Sequence, residues 1–127
     1  MNLFTTLRSM HLLLIDDDEW VRDSLRLFFE SEGCQIIALE TAEEGLSVAA
    51  SRNFDIIIVD YRLPGMDGLE FINHLPAKQA ETLKILITAY VSEDLITKAK
   101  QSGYNELIAK PFTTEIIEAS LEHLIAQ

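Results

Sequence analysis

Several acidic side chains in this sequence directly follow short apolar runs. Asp60 ends the run 54–59, in which five of six residues are apolar, and Asp16 and Asp17 follow the apolar run 12–15. Short β-branched runs bounded by turn residues are typical of strands buried on both faces of a parallel sheet. Ligands of open α/β sheets bind at the carboxyl ends of the strands. We therefore predict that these three carboxylates lie together at that edge.

Two further polar residues are expected at the same edge. Thr88 ends the apolar run 83–88, and Lys110 follows a weaker run at 104–109. Carboxylates about 5 Å apart repel by about 3 kcal/mol per pair at an effective dielectric constant of about 20, so such a cluster takes up protons or holds a cation. Oxygen ligands favour Mg²⁺, and a nearby lysine and hydroxyl would complete a site for a phosphoryl group.

The elements that must position these residues alternate regularly along the chain. Three kinds of signal predict helices between the strands. They are apolar stripes, a capping pair at Thr41 and Glu44, and helix-ending residues such as Gly33 and Pro76. Alternating strands and helices predict an α/β fold, a doubly wound parallel sheet with helices on both faces. The predicted strands are 12–15, 34–39, 55–60, 83–88 and 104–109. Three predicted helices cover about 41–52, 68–75 and 92–102. A first helix carries an apolar stripe from Val21 to Phe29 and stops at Gly33, and a last helix carries a stripe from Ile116 to Ile125.

Chain length and composition limit the class of protein. The 127 residues suffice for one domain with a sizeable core, which we assign to residues 11–127. Residues 1–10 are interpreted as a short N-terminal extension, frayed or helical, with a disordered leader as the favoured interpretation. Cys34 is the single cysteine, interpreted as a small buried hydrophobe. We find no secretion signal and no membrane span, and expect a soluble cytoplasmic protein.

The charge of the chain is strongly acidic. The net charge is −11, with 21 acidic and 10 basic residues. Direct binding to a nucleic acid needs a basic footprint, so this composition argues against it, and it also disfavours an anionic membrane surface. We expect no direct nucleic-acid partner and no membrane partner.

Four segments, taken in order, resemble the receiver domain of two-component response regulators. The first segment is Leu-Leu-Ile-Asp-Asp-Asp at 13–18, and the second is Ile-Val-Asp-Tyr-Arg-Leu-Pro-Gly-Met-Asp-Gly at 58–68. The third is Ile-Leu-Ile-Thr-Ala at 85–89, and the fourth is Lys-Pro-Phe at 110–112. The resemblance covers residues 11–127. It implies a flavodoxin-like five-stranded sheet of order 2-1-3-4-5 with five helices, and a cis peptide bond between Lys110 and Pro111.

The resemblance also implies a reaction. Asp60 would be the phosphoacceptor and would take a phosphoryl group from a phosphohistidine on a sensor histidine kinase. Thr88 would donate its hydroxyl to that group and move on activation, and Lys110 would pair with it. The chain would not be an enzyme beyond self-catalysed phosphorylation and dephosphorylation of Asp60.

The implied cofactor is Mg²⁺. Asp17 would ligate it directly and Asp16 partly through water, while Asp60 and the backbone carbonyl of Arg62 would complete the protein ligands. A bound cation would neutralise the charge that develops on the phosphoryl oxygens.

The sequence departs from the family at the position three residues before the lysine, which is commonly aromatic and rotates inward on activation. That residue is Leu107, and the nearest aromatic, Tyr104, lies three residues earlier. Arg62 and Tyr90 occupy two positions that tune phosphate lifetime in the family. Both are bulky, so we expect them to shield the aspartyl phosphate and slow its hydrolysis.

The implied partners are a sensor histidine kinase or phosphotransfer protein, an unknown downstream protein, and a second copy of the chain on phosphorylation. The switch would act through the face formed by the fourth predicted helix, the fifth strand and the last helix.

The alternative to a phosphoacceptor switch is a phosphate-independent receiver-like scaffold. An aspartyl phosphatase would need a second aspartate where Arg62 stands, and a nucleotide enzyme would need glycines or a lysine in the turn at 16–19.

Overall fold

The computed structural model describes residues 2–126 and contains one five-stranded parallel sheet of order β2-β1-β3-β4-β5. The order confirms the flavodoxin-like architecture, and five strands occur where five apolar runs were found. Each strand is joined to the next by a helical crossover that packs back on the sheet. The strands are β1 His11–Ile15, β2 Gln35–Leu39, β3 Ile56–Asp60, β4 Leu83–Thr88 and β5 Glu106–Ala109.

Six α-helices occur in the described part of the chain, one more than the five expected. They are α1 Leu3–Leu7, α2 Glu19–Ser31, α3 Ala42–Ser51, α4 Gly68–Asn73, α5 Glu93–Ser102 and α6 Thr114–Ile125, with a short 3-10 turn at Ala77–Gln79. None of the helices within residues 2–126 is long and apolar enough to cross a membrane.

Polar side chains satisfy the free backbone N–H groups at the helix starts. Thr41 and Glu44 form the predicted capping box of α3, and Ser92 caps α5 as expected by accepting a hydrogen bond from Leu95 N. Gly103 ends α5 in the left-handed conformation at φ 112°, which glycine adopts without a steric cost. Local sequence chemistry therefore sets these boundaries.

The sheet is buried on both faces, as its apolar runs predict. Alternate residues of β3 point to opposite sides, so Ile56 and Ile58 pack under α2 and α6, whereas Ile57 and Val59 pack under α3, α4 and α5. All four are 0% exposed. The carboxylate of Asp60 therefore emerges from the centre of the core at the end of its strand.

The expectation that the first ten residues form a disordered leader is wrong for the part described. Leu3 and Leu7 of α1 are buried in the core beside α6. The Phe4 ring packs edge-on against Phe28 at 5.8 Å, and Arg8 Nε donates a hydrogen bond to Glu32 O at 2.7 Å. Apolar burial outweighs the weak propensity of so short a helix. The domain boundary at residue 11 stays a prediction, and Met1 and Gln127 lie outside the described residues.

Two predicted boundaries are corrected. β5 begins at Glu106 and not at Tyr104, because Tyr104 enters the core and donates its hydroxyl to Gly68 O at 2.7 Å. α4 ends at Asn73, two residues before the expected end, with His74 as its C-cap. In both places a contact or a cap interrupts a pattern that the local sequence would continue.

A buried amide anchors the beginning of the central strand. Gln79 is 1% exposed. Its Oε1 accepts hydrogen bonds from Phe54 N at 3.2 Å and Thr82 Oγ1 at 2.9 Å, while its Nε2 donates to Ala49 O at 2.9 Å and to the Arg52 carbonyl at 2.6 Å. Buried polar groups are costly unless they are bonded in this way. The network holds the entry to β3 and so helps to position Asp60 at its other end.

Candidate functional site

Parallel pairing brings the carboxyl ends of four strands to one edge of the sheet. Ile15 pairs with Val59, so Asp16 and Asp60 follow at the same level. Asp60 pairs in turn with Ile87, the residue before Thr88. Lys110 N donates to Thr88 O at 2.8 Å and continues the ladder beyond β5. The register therefore collects residues from distant parts of the sequence, as predicted.

Three carboxylates form a compact cluster at this edge. Asp16, Asp17 and Asp60 each offer an oxygen, and these oxygens lie within 4.8 Å of one another. Asp16 and Asp60 are buried, at 0% and 6% exposed, whereas Asp17 faces solvent. Asp16 Oδ1 accepts a hydrogen bond from Asp18 N at 2.9 Å, which orients its second oxygen into the cluster.

Lys110 is the cation of the cluster. Its Nζ lies 2.8 Å from Asp16 Oδ2 and 3.2 Å from Asp60 Oδ2, and it donates a hydrogen bond to Asp60. Burial alone would lower the pKa of Lys110, but the contacts with both carboxylates outweigh it and raise the pKa. The ammonium therefore stays protonated and bridges two carboxylates that would otherwise repel.

The Asp60 carboxylate is the destabilised member of the cluster. Burial raises its pKa from 3.8 to about 6, the nearby negative charge of Asp16 adds to the increase, and Lys110 opposes it. A carboxylate held in this way is stabilised by any added positive charge. Gly68 permits the close packing of the following loop, because a Cβ there would lie 3.0 Å from Asp60 O.

Thr88 is fully buried at the end of β4, at 0% exposed. Its Oγ1 accepts a hydrogen bond from Tyr90 N at 3.0 Å. No acceptor among residues 2–126 is bonded to its hydroxyl hydrogen. That hydrogen is therefore free to be donated to a group bound at the carboxyl edge.

The donor set fits a hard divalent cation. Three carboxylates converge, and the buried Asp16 Oδ2 contacts the Lys110 ammonium at 2.8 Å but accepts from no other donor among residues 2–126. The Arg62 carbonyl also accepts no hydrogen bond from the described residues. Oxygen ligands with vacant lone pairs are those that Mg²⁺ and Ca²⁺ prefer.

One contact of the site was not foreseen from the sequence. The Arg62 guanidinium stacks on the ring of Tyr90, with Cζ 4.2 Å from the ring centroid. Asp18 caps α2 through Trp20 N, and the Trp20 side chain is exposed on the rim of a groove beside Lys110. The sequence analysis identified Arg62 and Tyr90 separately as bulky residues near the site, but no sequence signal indicated that their side chains touch. The Lys110–Pro111 peptide bond is cis, as expected.

The strand order and the acidic cluster at the carboxyl edge define the class of CheY-like α/β domains. A two-component response regulator from Clostridium difficile shares this fold with a TM-score of 0.86 at 23% identity, over 93% of this chain and 97% of its own. Residues 12–122 match the response regulator receiver domain. The chain belongs to that family.

Two other relatives match nearly all of the domain. An uncharacterised 14.6 kDa protein from the sodA1 3' region of Leptolyngbya boryana is 36% identical over 108 residues, 84% of this chain and 82% of its own. A response regulator from Burkholderia pseudomallei, solved with a phosphorylated aspartic acid, a calcium ion and citrate, is 27% identical with a TM-score of 0.81, over 92% of this chain and 71% of its own. The chain spans 31%, 57% and 51% of the length of three other curated relatives.

Proposed function

We propose that this chain is a phosphoacceptor switch in which Asp60 takes a phosphoryl group from a histidine kinase or a phosphotransfer protein. The observation that carries the proposal is the position of the Asp60 carboxylate. It is buried at the carboxyl edge, 3.2 Å from Lys110 Nζ and clustered with Asp16 and Asp17. The raised pKa of Asp60 indicates a charge that the fold alone does not fully compensate.

The reaction uses the side chains of the cluster in distinct roles. A carboxylate oxygen of Asp60 forms a bond to phosphorus while the bond from phosphorus to the imidazole nitrogen breaks, and the electron pair stays on that nitrogen. Lys110 and the free hydroxyl hydrogen of Thr88 bind phosphoryl oxygens. Asp16, Asp17, Asp60 and the Arg62 carbonyl would hold Mg²⁺, which supplies positive charge to the transferred group when bound.

Partner binding is the proposed output of the switch. Phosphorylation would shift the face formed by α5, β5 and α6 and so control contact with a downstream protein or a second copy of the chain. α5 suits this role because few of its residues are buried, Leu95 and Ala99. A cytoplasmic location is part of the proposal.

Intact mass after incubation with acetyl phosphate and Mg²⁺ tests the proposed function. We expect one added phosphoryl group, none without Mg²⁺ and none in Asp60→Asn. Asp55→Asn, directly before the start of β3, is a matched control and is expected to retain the group. An unmodified wild-type chain, with donor and a cognate kinase both shown to be active, would favour the phosphate-independent scaffold.

We also expect the aspartyl phosphate to hydrolyse slowly, because Arg62 and Tyr90 are bulky side chains that follow Asp60 and Thr88 by two residues each and line the cleft between their loops. Arg62→Ala and Tyr90→Ala each remove one of these bulky side chains and so should speed decay severalfold. The measurement is the loss of the phosphorylated mass after the donor is removed. Tyr90→Phe keeps the ring and should decay like the wild type. Equal decay rates in all four proteins would contradict this shielding role.

A further inference from the structure

The Arg62 guanidinium has one partner in the described chain, the ring of Tyr90. Its Cζ lies 4.2 Å from the ring centroid, and no ion pair or hydrogen bond of this side chain occurs within residues 2–126. The other cations nearby are engaged, since Lys98 pairs with Asp94 at 3.0 Å and Lys110 pairs with the acidic cluster. Arg62 is therefore a guanidinium with unused donors beside the phosphoacceptor loop.

The stack joins the two loops that flank the site. Arg62 lies two residues after Asp60, and Tyr90 lies two residues after Thr88 and two before Ser92, the N-cap of α5. Tyr90 N also donates a hydrogen bond to Thr88 Oγ1. The two side chains line an open cleft of about 540 Å³ between these loops. A change at Arg62 is thus connected through Tyr90 to the entry of α5.

Three residues before Lys110, where the family commonly has an aromatic side chain, this chain has Leu107. Leu107 is aliphatic and packs against the core under α5. Tyr104 is 5% exposed and its hydroxyl is bonded to Gly68 O. A conformational change that starts at Asp60 and reaches α5 therefore needs a different side chain to transmit it.

We propose that phosphorylation of Asp60 draws the Arg62 guanidinium away from Tyr90 onto the phosphoryl oxygens, and that the released Tyr90 loosens the entry to α5. This inference rests on the proposed function of Asp60. Arg62 would act as a positioning residue for the switch, replacing the missing inward-turning aromatic.

Charge supplies the driving force. With Lys110 and a divalent cation bound, the three carboxylates of the cluster are balanced. An acyl phosphate carries about two negative charges where the Asp60 carboxylate carried one, so one negative charge is left over. A guanidinium binds phosphate oxygens with two parallel hydrogen bonds, a stronger interaction than an exposed contact with an aromatic face. Arg62 is the available cation on the adjacent loop.

Beryllofluoride with Mg²⁺, a stable mimic of the phosphoryl group, allows this to be tested by NMR. Protons held over an aromatic face resonate upfield, so the Arg62 Nε–Hε signal should lie upfield in the free protein and move downfield when the mimic binds. The ring signals of Tyr90 and the amides of Glu93 and Asp94 should shift with it. The fluorine-19 signal of the bound mimic reports occupancy of the site independently.

Variants separate the roles of the two side chains. Arg62→Gln should weaken beryllofluoride binding by at least about tenfold, the effect of losing a hydrogen bond to a charged group, and at saturation should leave the Glu93 and Asp94 amides unshifted. Tyr90→Phe should respond like the wild type, and Tyr90→Leu should show the Arg62 signal already downfield before the mimic is added.

The outcomes distinguish this inference from the proposed function. If the fluorine-19 signal shows that beryllofluoride is bound while the Arg62 signal stays upfield, the inference is overturned and the proposed function stands. If Arg62→Gln still transmits the shift to α5 in full, the inference is likewise overturned. If neither beryllofluoride nor phosphodonors modify the wild-type site, both fail together. Should the mimic alone not bind, the same signals are read in the phosphorylated protein.

Discussion

Replacing Asp60 by Asn is expected to raise the free energy of unfolding of the metal-free protein by about 1–3 kcal/mol at about pH 7.5. Asp60 is 6% exposed, and burial together with Asp16 raises the pKa of its carboxyl group from 3.8 to about 6. The folded protein thus binds the Asp60 proton more tightly than the unfolded chain. The stability tied to that proton is present below about pH 4 and is lost as the pH rises through about 6, as linkage requires.

Asparagine has nearly the shape of aspartate but carries no charge, so it avoids this loss, while its weaker contact with Lys110 offsets part of the gain. Urea unfolding monitored by circular dichroism measures the difference. The gain should shrink towards zero at about pH 4, and Mg²⁺ should stabilise the wild type more than the variant. Asp55→Asn, at an exposed position directly before β3, is the control and should show no comparable gain. A gain that is equal at both pH values, or a loss at about pH 7.5, would show that the raised pKa of Asp60 does not govern stability.

Replacing Lys110 by Met is expected to have the opposite effect and to lower the free energy of unfolding by about 3–5 kcal/mol without metal. The Lys110 ammonium lies 2.8 Å from the fully buried Asp16 carboxylate and 3.2 Å from Asp60. Methionine fills a similar volume but leaves both carboxylates without their cation. Removing one partner of a buried ion pair is costly because the remaining charge stays desolvated.

Added Mg²⁺ should restore part of the stability of Lys110→Met, since a divalent cation in the acidic cluster would replace the missing positive charge. The double variant Lys110→Met with Asp60→Asn should be less destabilised than Lys110→Met alone, because one of the two unpaired carboxylates is gone. Lys98→Met removes the solvent-exposed pair with Asp94 and should leave the unfolding midpoint unchanged. If Lys110→Met unfolds like the wild type without metal, the ion pairs contribute no net stability.

Much of the fold could be predicted from local sequence. All five strands coincide with apolar runs, and the caps at Thr41 and Ser92 were readable because a capping side chain bonds to backbone within three residues of itself. The errors occur where a tertiary contact competes with a local pattern. α1 folds because Leu3 and Leu7 reach the core, and Tyr104 leaves β5 because its ring and hydroxyl are buried against α4.

The candidate site was also largely predictable, because parallel strands of an α/β sheet bring their polar carboxyl ends to one edge. The sequence by itself determined which residues converge there: Asp16, Asp17, Asp60, Thr88 and Lys110. The tertiary structure alone decided how they touch. Lys110 bridges two carboxylates, one of them 50 residues away, and Arg62 stacks on Tyr90 across the cleft. Residue types and periodicity specify elements and faces, but side-chain contacts between separate loops depend on the register and packing of the whole domain.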